Sequence, residues 1–435
     1  MTASIVDYAV VKRLQGRVAE ELTVLRQRRE AAGEPTLSDS DERQLALSVI
    51  GRVVAEHMRS LVAAGKDLPD GSVDLQLVMA VDAAIYGAGV LSELLDDPDI
   101  EDIDINGSDR VWLTYADERG TLPGAPVAAS DDDLVQMVQN LASYVGVNAR
   151  PWTRSHPTLN LRLPGGGRLA ATMSACERPA VSIRLNRYPQ MNLAQEIDLG
   201  TIDEQLAAFL RAAVTVRLNI MVAGATGAGK TSLLRALVNE IPPSERLLVV
   251  EKALELGVGH DPAAHPNTVE LEEVLPDPDG RGGLSIDDLV DQSRRHNPSR
   301  VIVGEVMGPE VVAMLSAMSQ GNDGSLSTVH ARSAADAINR LCTYAMQHSR
   351  LDFPVTSALI SGAIDFIVFI RKNPRSAGQR HITEILEIGQ YAAGGVTTSR
   401  IFTPSPVDGR AARALDVPII RGDRLADAGY VEPPL

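Results

Sequence analysis

Apolar residues recur at helical spacing through residues 7–31, where Val10, Val11, Leu14, Val18, Leu22 and Leu25 stand between charges. That spacing gathers them on one helix face, and Gly33, Glu34 and Pro35 end the run. Ser38-Asp-Ser-Asp-Glu42 then offers an N-terminal cap and a negative first turn to a second helix. This helix runs to about Ala64 with Leu45, Val49 and Val53 on one face, and a third spans about Ser72 to Tyr86. Residues 1–90 therefore predict a small helical module suited to docking or packing.

From about residue 92 the runs shorten. Ile100, Ile103, Ile105, Val111 and Leu113 fall in strand-like segments with a turn at Asn106-Gly107. Asp131–Val145 reads as a helix, Arg162-Leu-Pro-Gly-Gly-Gly-Arg168 as a hairpin turn, and Ala180–Arg184 as another strand. Residues 91–190 predict an α+β domain, and Tyr188–Gly200 a linker. Beyond 201, helices alternate with continuous apolar runs at Leu218–Ala223, Leu247–Val250, Val301–Val303 and Leu326–Val329. Such runs read as strands of a mostly parallel sheet covered on both faces. Phe366–Ile370 and His381–Ile388 read as an antiparallel pair. The α/β domain spans 201–390. Residues 391–435 form a C-terminal extension whose last 30 residues, rich in Pro, Gly, Asp and Arg, predict a loosely ordered tail.

Composition narrows the class. The 435 residues are 44% apolar, 23% charged and 3% aromatic, a globular balance. No apolar stretch reaches the roughly 20 residues a membrane-spanning helix requires. The N-terminus carries Asp7 and lacks the apolar block of a signal peptide, so a cytoplasmic protein is expected. Cys176 and Cys342 make neither a metal-ligand spacing nor a disulfide framework. The net charge of −16 disfavours nucleic acid as the main partner. Lysine occurs only at 12, 66, 230, 252 and 372, which makes Lys230 inside a glycine-rich loop conspicuous.

That loop, Gly224-Ala225-Thr226-Gly227-Ala228-Gly229-Lys230-Thr231, matches G-x-x-x-x-G-K-[ST] and sits between an apolar strand and a helix opening at Ser232. Its glycines let successive N–H groups turn inward around phosphate oxygens, and the helix adds the positive end of its dipole. Lys230 would neutralise the β- and γ-phosphates and Thr231 would ligate Mg²⁺. Val301-Ile-Val-Gly-Glu305 ends a strand in an acid placed to support that metal or polarise water. Glu251 and Glu255 follow another strand, and either could orient the hydrolytic water. His330, after the Ser/Thr-rich run from Gly321, could sense the γ-phosphate.

The order of these tracts resembles the ATPase superfamily of type II and type IV secretion and type IV pilus systems. GATGAGKTS, VIVGEV and GNDGSLSTVHA, with LLDDPDIEDIDINGSDRVWL, RLPGGGRLAATM and VSIRLNR upstream, look most like its Tad/CpaF branch, which powers Flp-type pili. The resemblance covers about residues 90–390. It implies a RecA-like motor domain behind an α+β domain, a homohexameric ring, ATP and Mg²⁺, and a cytoplasmic position against inner-membrane platform proteins. By the same resemblance Glu255 is the catalytic base, Glu305 the Walker B acid and His330 the His-box residue. Arg168 and Arg184 are the arginines that approach the phosphates. Three positions depart from the pattern: Lys252 replaces Asp, Met307 replaces Arg and Asn322 replaces His. They motivate the alternative of a nucleotide-binding scaffold with little turnover. A nucleic-acid motor is a further alternative, opposed by the negative charge.

Overall fold

The three apolar patterns become three kinds of packing in the computed structural model, which describes residues 8–31, 39–63, 77–78, 81–82, 91–115, 117, 119–145, 152–163, 167–186, 190–274, 276, 280–319, 321–373, 379–392 and 394–432. Met1–Leu185 and Asn186–Leu435 are two compact units.

In the first unit, helices α1 (Tyr8–Ala31) and α2 (Asp39–Ala63) share a small core. Leu14, Val18, Ile50 and Val53 are fully buried in it, each stabilising by about 1.5–3 kcal/mol before ordering costs. Exposed ion pairs Arg17–Glu56 and Arg52–Glu21 add little across the seam. The proposed cap at Ser38 lies outside the described residues. Of the third expected helix only residues 77–78 and 81–82 are described, and both pairs are helical.

A second core in this unit belongs to an antiparallel sheet. Helix α3 (Leu91–Asp96) precedes strands β1 (Ile100–Asn106), β2 (Val111–Tyr115), β3 (Thr121–Gly124), β4 (Thr158–Arg162), β5 (Arg168–Thr172) and β6 (Ala180–Arg184). Their order is β3-β2-β1-β6-β5-β4. Alternate residues such as Leu159, Leu161, Val181 and Ile183 face the core, where Leu134, Val138 and Leu141 of α4 (Asp131–Val145) cover them.

The second unit carries α5 (Leu193–Asp198), α6 (Glu204–Thr215), β7 (Ile220–Gly224), α7 (Lys230–Val238), β8 (Leu247–Glu251), β9 (Thr268–Glu272), α8 (Ile286–Ser293) and β10 (Arg300–Val306). It continues through α9 (Val311–Ser319), β11 (Leu326–His330), α10 (Ala334–Ser349), α11 (Phe353–Ala363), β12 (Phe366–Lys372), β13 (Arg380–Ala392), β14 (Gly395–Pro404), β15 (Ala411–Arg413) and α12 (Gly422–Asp427). The nine strands lie in the order β15-β14-β13-β12-β7-β11-β10-β8-β9. From β12 to β9 the pairing is parallel, and from β12 outward to β15 it is antiparallel. Every residue of β7 and β8 is buried, because Ile220 and Val222 join one core while Met221 and Ala223 join the core on the opposite face. The mixed α/β architecture with a helical region and a separate β-sheet domain ahead of it is thus as the apolar patterns imply.

Two segments differ from expectation. Within the proposed linker, Asn192 caps α5 reciprocally: its side chain accepts from Gln195 N–H at 2.9 Å, and the Gln195 side chain accepts from Asn192 N–H at 3.0 Å. The C-terminal extension is also packed. β14 belongs to the main sheet. Phe209 is ringed by Phe366, Phe402 and Tyr430 at centroid distances of 5.1, 5.0 and 5.4 Å. Arg421 reaches Asp365 at 2.5 Å and Glu387 at 3.2 Å, and fully buried Glu387 accepts from the N–H groups of Ile420 and Arg421. A tail composition averages over the few residues, Ile419, Leu425 and Tyr430, that anchor it. Among the described residues no helix is long and apolar enough to cross a membrane. Cys342 is buried, Cys176 is exposed, and both are free thiols.

His265 and His381 are buried, and His265 has neither ring nitrogen hydrogen-bonded among the described residues. Burial pushes both below the ordinary histidine pKa; for His381 the Arg371 and Arg410 charges push the same way, while Asp261 opposes at His265. Below about pH 6.5 the unfolded chain therefore takes up protons that the native protein refuses, so stability rises with pH across that window. The melting temperature is expected to fall between neutral and mildly acidic pH, with a smaller fall in His265→Leu. Equal falls in both proteins would show that His265 is not a source of the slope.

Candidate functional site

The glycine-rich loop leaves the C-terminal edge of β7 and turns straight into α7. Gly227 and Gly229 have φ of 69° and 97°, values that penalise any side chain. With those turns made, α7 opens at Lys230, and Thr231 and Ser232 stand half-buried in its first turn. Lys230 is only 6% exposed. Its ammonium donates to the Ala225 carbonyl at 3.3 Å and to His330 Nδ1 at 3.1 Å, and lies 3.6 Å from Glu305 Oε1.

Parallel register brings these groups together. β11 lies beside β7 with His330 opposite Gly224. β10 lies on the far side of β11 and delivers Glu305, whose Oε1 is 2.9 Å from His330 Nε2. An ammonium can only donate, so Nδ1 of His330 accepts and Nε2–H donates to Glu305, fixing the neutral tautomer. Burial holds the His330 pKa below its ordinary value; Glu305 pulls it up and Lys230 pushes it down. A cation, a neutral imidazole and a carboxylate thus meet at the mouth of the glycine-rich loop.

The two other acids have different fates. Glu251 is buried and turned inward. Its oxygens accept from the N–H groups of Glu255 and Leu256 at 3.1 Å, and it packs so tightly on Gly304 that a Cβ there would lie 2.7 Å from its Cγ. This carboxylate shapes the loop and the strand leading to Glu305, so it is not placed to orient water. Arg235 of α7 completes the clamp, donating to the carbonyls of Leu256 at 2.8 Å and Glu255 at 2.7 Å. Burial lowers the Arg235 pKa to about 10, against the pull of Glu251. Glu255 is left half-buried at the end of this braced loop. The structural part played by Arg235 carried no motif; only its place on the inner face of the helix after the loop marks it.

Lys252 is exposed, with no ion or hydrogen-bond partner among the described residues. Met307 is 53% exposed just after β10, where its N–H and that of Gly308 are taken by buried Glu310. Asn322 uses its backbone, accepting from Ser325 Oγ at 2.7 Å. In the first unit, Arg168 and Arg184 are cross-strand neighbours on β5 and β6, and Arg184 bonds Asp102 at 2.8 Å.

Residues 86–393 match the family described as type II/IV secretion system protein. The chain is similar to a putative conjugal transfer protein of Mycobacterium tuberculosis, 31% identical over 316 residues that make up 70% of this chain and 86% of that protein. It is 30% identical over 313 residues to the type IV secretion system protein PtlH of Bordetella pertussis, covering 66% of this chain and 90% of that protein. A solved structure, the Legionella pneumophila ATPase DotB, has a TM-score of 0.49 and 18% identity, covering 70% of this chain and 81% of that one.

Proposed function

Because this chain belongs to the type II/IV secretion system ATPase family, we propose that it is the ATP-hydrolysing motor subunit of a type IV secretion or conjugation-type export system. The named relatives favour that class of machine. Flp-type pilus assembly is a second reading, carried by the resemblance of the GATGAGKTS, VIVGEV, GNDGSLSTVHA, LLDDPDIEDIDINGSDRVWL, RLPGGGRLAATM and VSIRLNR tracts. In either case the motor is a homohexamer with a RecA-like domain, working at the cytoplasmic face of the membrane against a platform protein, with the helical module 1–90 as the docking part.

The observation that carries the catalytic reading is the meeting of Lys230, Glu305 and His330 at the loop. Backbone N–H groups of the Gly224–Ser232 loop hold the phosphates and Lys230 neutralises the terminal ones. Neutral His330 reports the γ-phosphate through its one donor, Nε2–H, which exchanges Glu305 for a phosphate oxygen. Glu255, on its braced loop, takes the proton of the attacking water. Arg168 and Arg184 are assigned as further phosphate-directed cations on the strength of the family pattern. The donor set suits Mg²⁺: a half-buried Thr231 hydroxyl and a one-third exposed Glu305 carboxylate are hard oxygens, of the small number a nucleotide-bound Mg²⁺ takes from protein. When bound, the ion would neutralise charge on the β- and γ-phosphates.

The test is ATP turnover by the purified chain with and without Mg²⁺, compared with Lys252→Asp. Lys252 is exposed beside the acidic loop, so restoring the family's acid is expected to equal or raise the parent rate. A parent that binds ATP but turns over no faster than Lys230→Ala would replace the motor with a nucleotide-binding scaffold. A Lys252→Asp variant slower than the parent would show that the lysine is not a brake.

A further inference from the structure

The loop strand β7 lies between two neighbours, β11 and β12. β11 brings His330 opposite Gly224. β12 flanks β7 on the other side, with Ile370 opposite the same Gly224. Two residues further along β12 stands Lys372, paired across the hairpin with Arg380 at the start of β13. Both side chains turn back over the loop. Arg380 Nε donates to the Gly227 carbonyl at 3.1 Å. Its Cδ lies 3.0 Å from where a Cβ on Gly229 would stand, and Lys372 Nζ lies 3.3 Å from where a Cβ on Gly227 would stand.

These positions have chemical content. Bonding the Gly227 carbonyl fixes that peptide plane, whose Ala228 N–H donates to the Ala225 carbonyl at 3.2 Å, and so braces the turn on which the loop's anion-facing shape depends. Behind Arg380, buried Glu196 feels its charge, and Ile382 N–H bonds the Thr201 carbonyl at 3.2 Å, seating the start of β13 against the segment after α5. Lys372 has no carboxylate partner among the described residues. An exposed lysine is ordinarily just solvated. Here it is one of five lysines in the chain, and its ammonium is held above the loop's positive-φ turn.

We propose that Lys372 and Arg380 form a second cationic contact for the nucleotide, on the β12 flank of the loop. Arg380 is a positioning residue that sets the Gly227 peptide, and Lys372 binds the phosphates that ATP and ADP share. The division follows from the sheet. Glu305 and His330 approach Lys230 from the β11 flank and so face the terminal phosphate, which leaves the opposite flank to the nucleoside-proximal phosphates. This assignment rests on the loop being the nucleotide site, as proposed above.

The experiment is equilibrium binding of ADP and of a non-hydrolysable ATP analogue to the full chain, compared with Lys372→Ala, Arg380→Ala, Arg380→Lys and His330→Ala. Lys372→Ala is expected to weaken both ligands by about tenfold, the scale of one hydrogen bond to a charged group, with the ratio of the two affinities unchanged. His330→Ala should weaken the ATP analogue alone. Arg380→Lys should recover part of the affinity lost in Arg380→Ala, while a purely structural loss would lower melting temperature and affinity alike in both variants. Unchanged affinities in Lys372→Ala, or a loss confined to the ATP analogue, would overturn the assignment. If Lys230→Ala abolishes ADP binding while Lys372→Ala matches the parent, only this inference falls. If the parent binds neither ligand, the nucleotide site itself falls with it.

Discussion

Lys230→Ala is expected to bring ATP turnover to background, a loss of at least roughly 10²-fold, the scale of removing one preorganised charge-stabilising donor. The ammonium is nearly fully buried and is aimed by α7, the Ala225 carbonyl, His330 and Glu305 together. Its replacement removes the buried cation that the loop's own helix holds in place to meet developing phosphate charge. Glu305→Gln separates binding from chemistry. The amide keeps the shape and can still accept from His330 Nε2–H, but it loses the negative charge, so nucleotide binding should survive while phosphate release falls. Phosphate-release kinetics beside ligand affinity decide the matter. A Lys230→Ala protein retaining more than about a tenth of parent turnover, against the expected hundredfold loss, would remove the loop from the mechanism.

Arg300→Leu is expected to destabilise the second unit by about 3–5 kcal/mol, the cost of breaking a buried ion pair by removing one partner. Arg300 is completely buried at the start of β10. Its guanidinium grips both oxygens of Glu245, at 2.8 and 2.7 Å, and donates to the carbonyls of Val214 and Gly324. One side chain therefore ties the end of α6, the loop before β8, β10 and the approach to β11. The loss corresponds to a fall in melting temperature on the order of 10 °C. Burial by itself would raise the Glu245 pKa, but the bond to Arg300 and the charges of Arg300 and Arg217 bring it below the usual carboxylate range. The stability contributed by this depressed carboxylate is present above about pH 4.3, its unfolded value, and is lost as pH falls through the folded value. The gap between parent and variant should therefore be full at neutral pH and close in acid. A melting temperature within about 2 °C of the parent, under 1 kcal/mol by the same scaling, would contradict this account of the β10 base.

Much of this molecule was legible one residue at a time. The spacing of Leu14 and Val18 fixes a helix face, and continuous runs such as Leu247–Val250 require strands buried on both sides. The glycine-rich loop announces itself because its backbone conformation excludes most residue types at Gly227 and Gly229. These are local requirements, and local sequence satisfies them. Partners far along the chain are a different matter. Glu251 and Glu255 read alike on the page, yet the fold turns Glu251 inward onto Gly304 and leaves Glu255 at the edge of the braced loop. Arg300, Arg235 and Arg421 read as ordinary arginines, and only the packing of distant segments makes each a buried tie. Lys372 and Arg380 lie some 140–150 residues beyond the loop they overhang, brought there by β12 pairing with β7. The sequence by itself determined which segments form elements and which loop has the glycine turns of a phosphate cradle, because those depend on periodicity and backbone freedom. Only the tertiary structure decided which charges became partners, because that depends on strand order and register, and neither is encoded near the residues it joins.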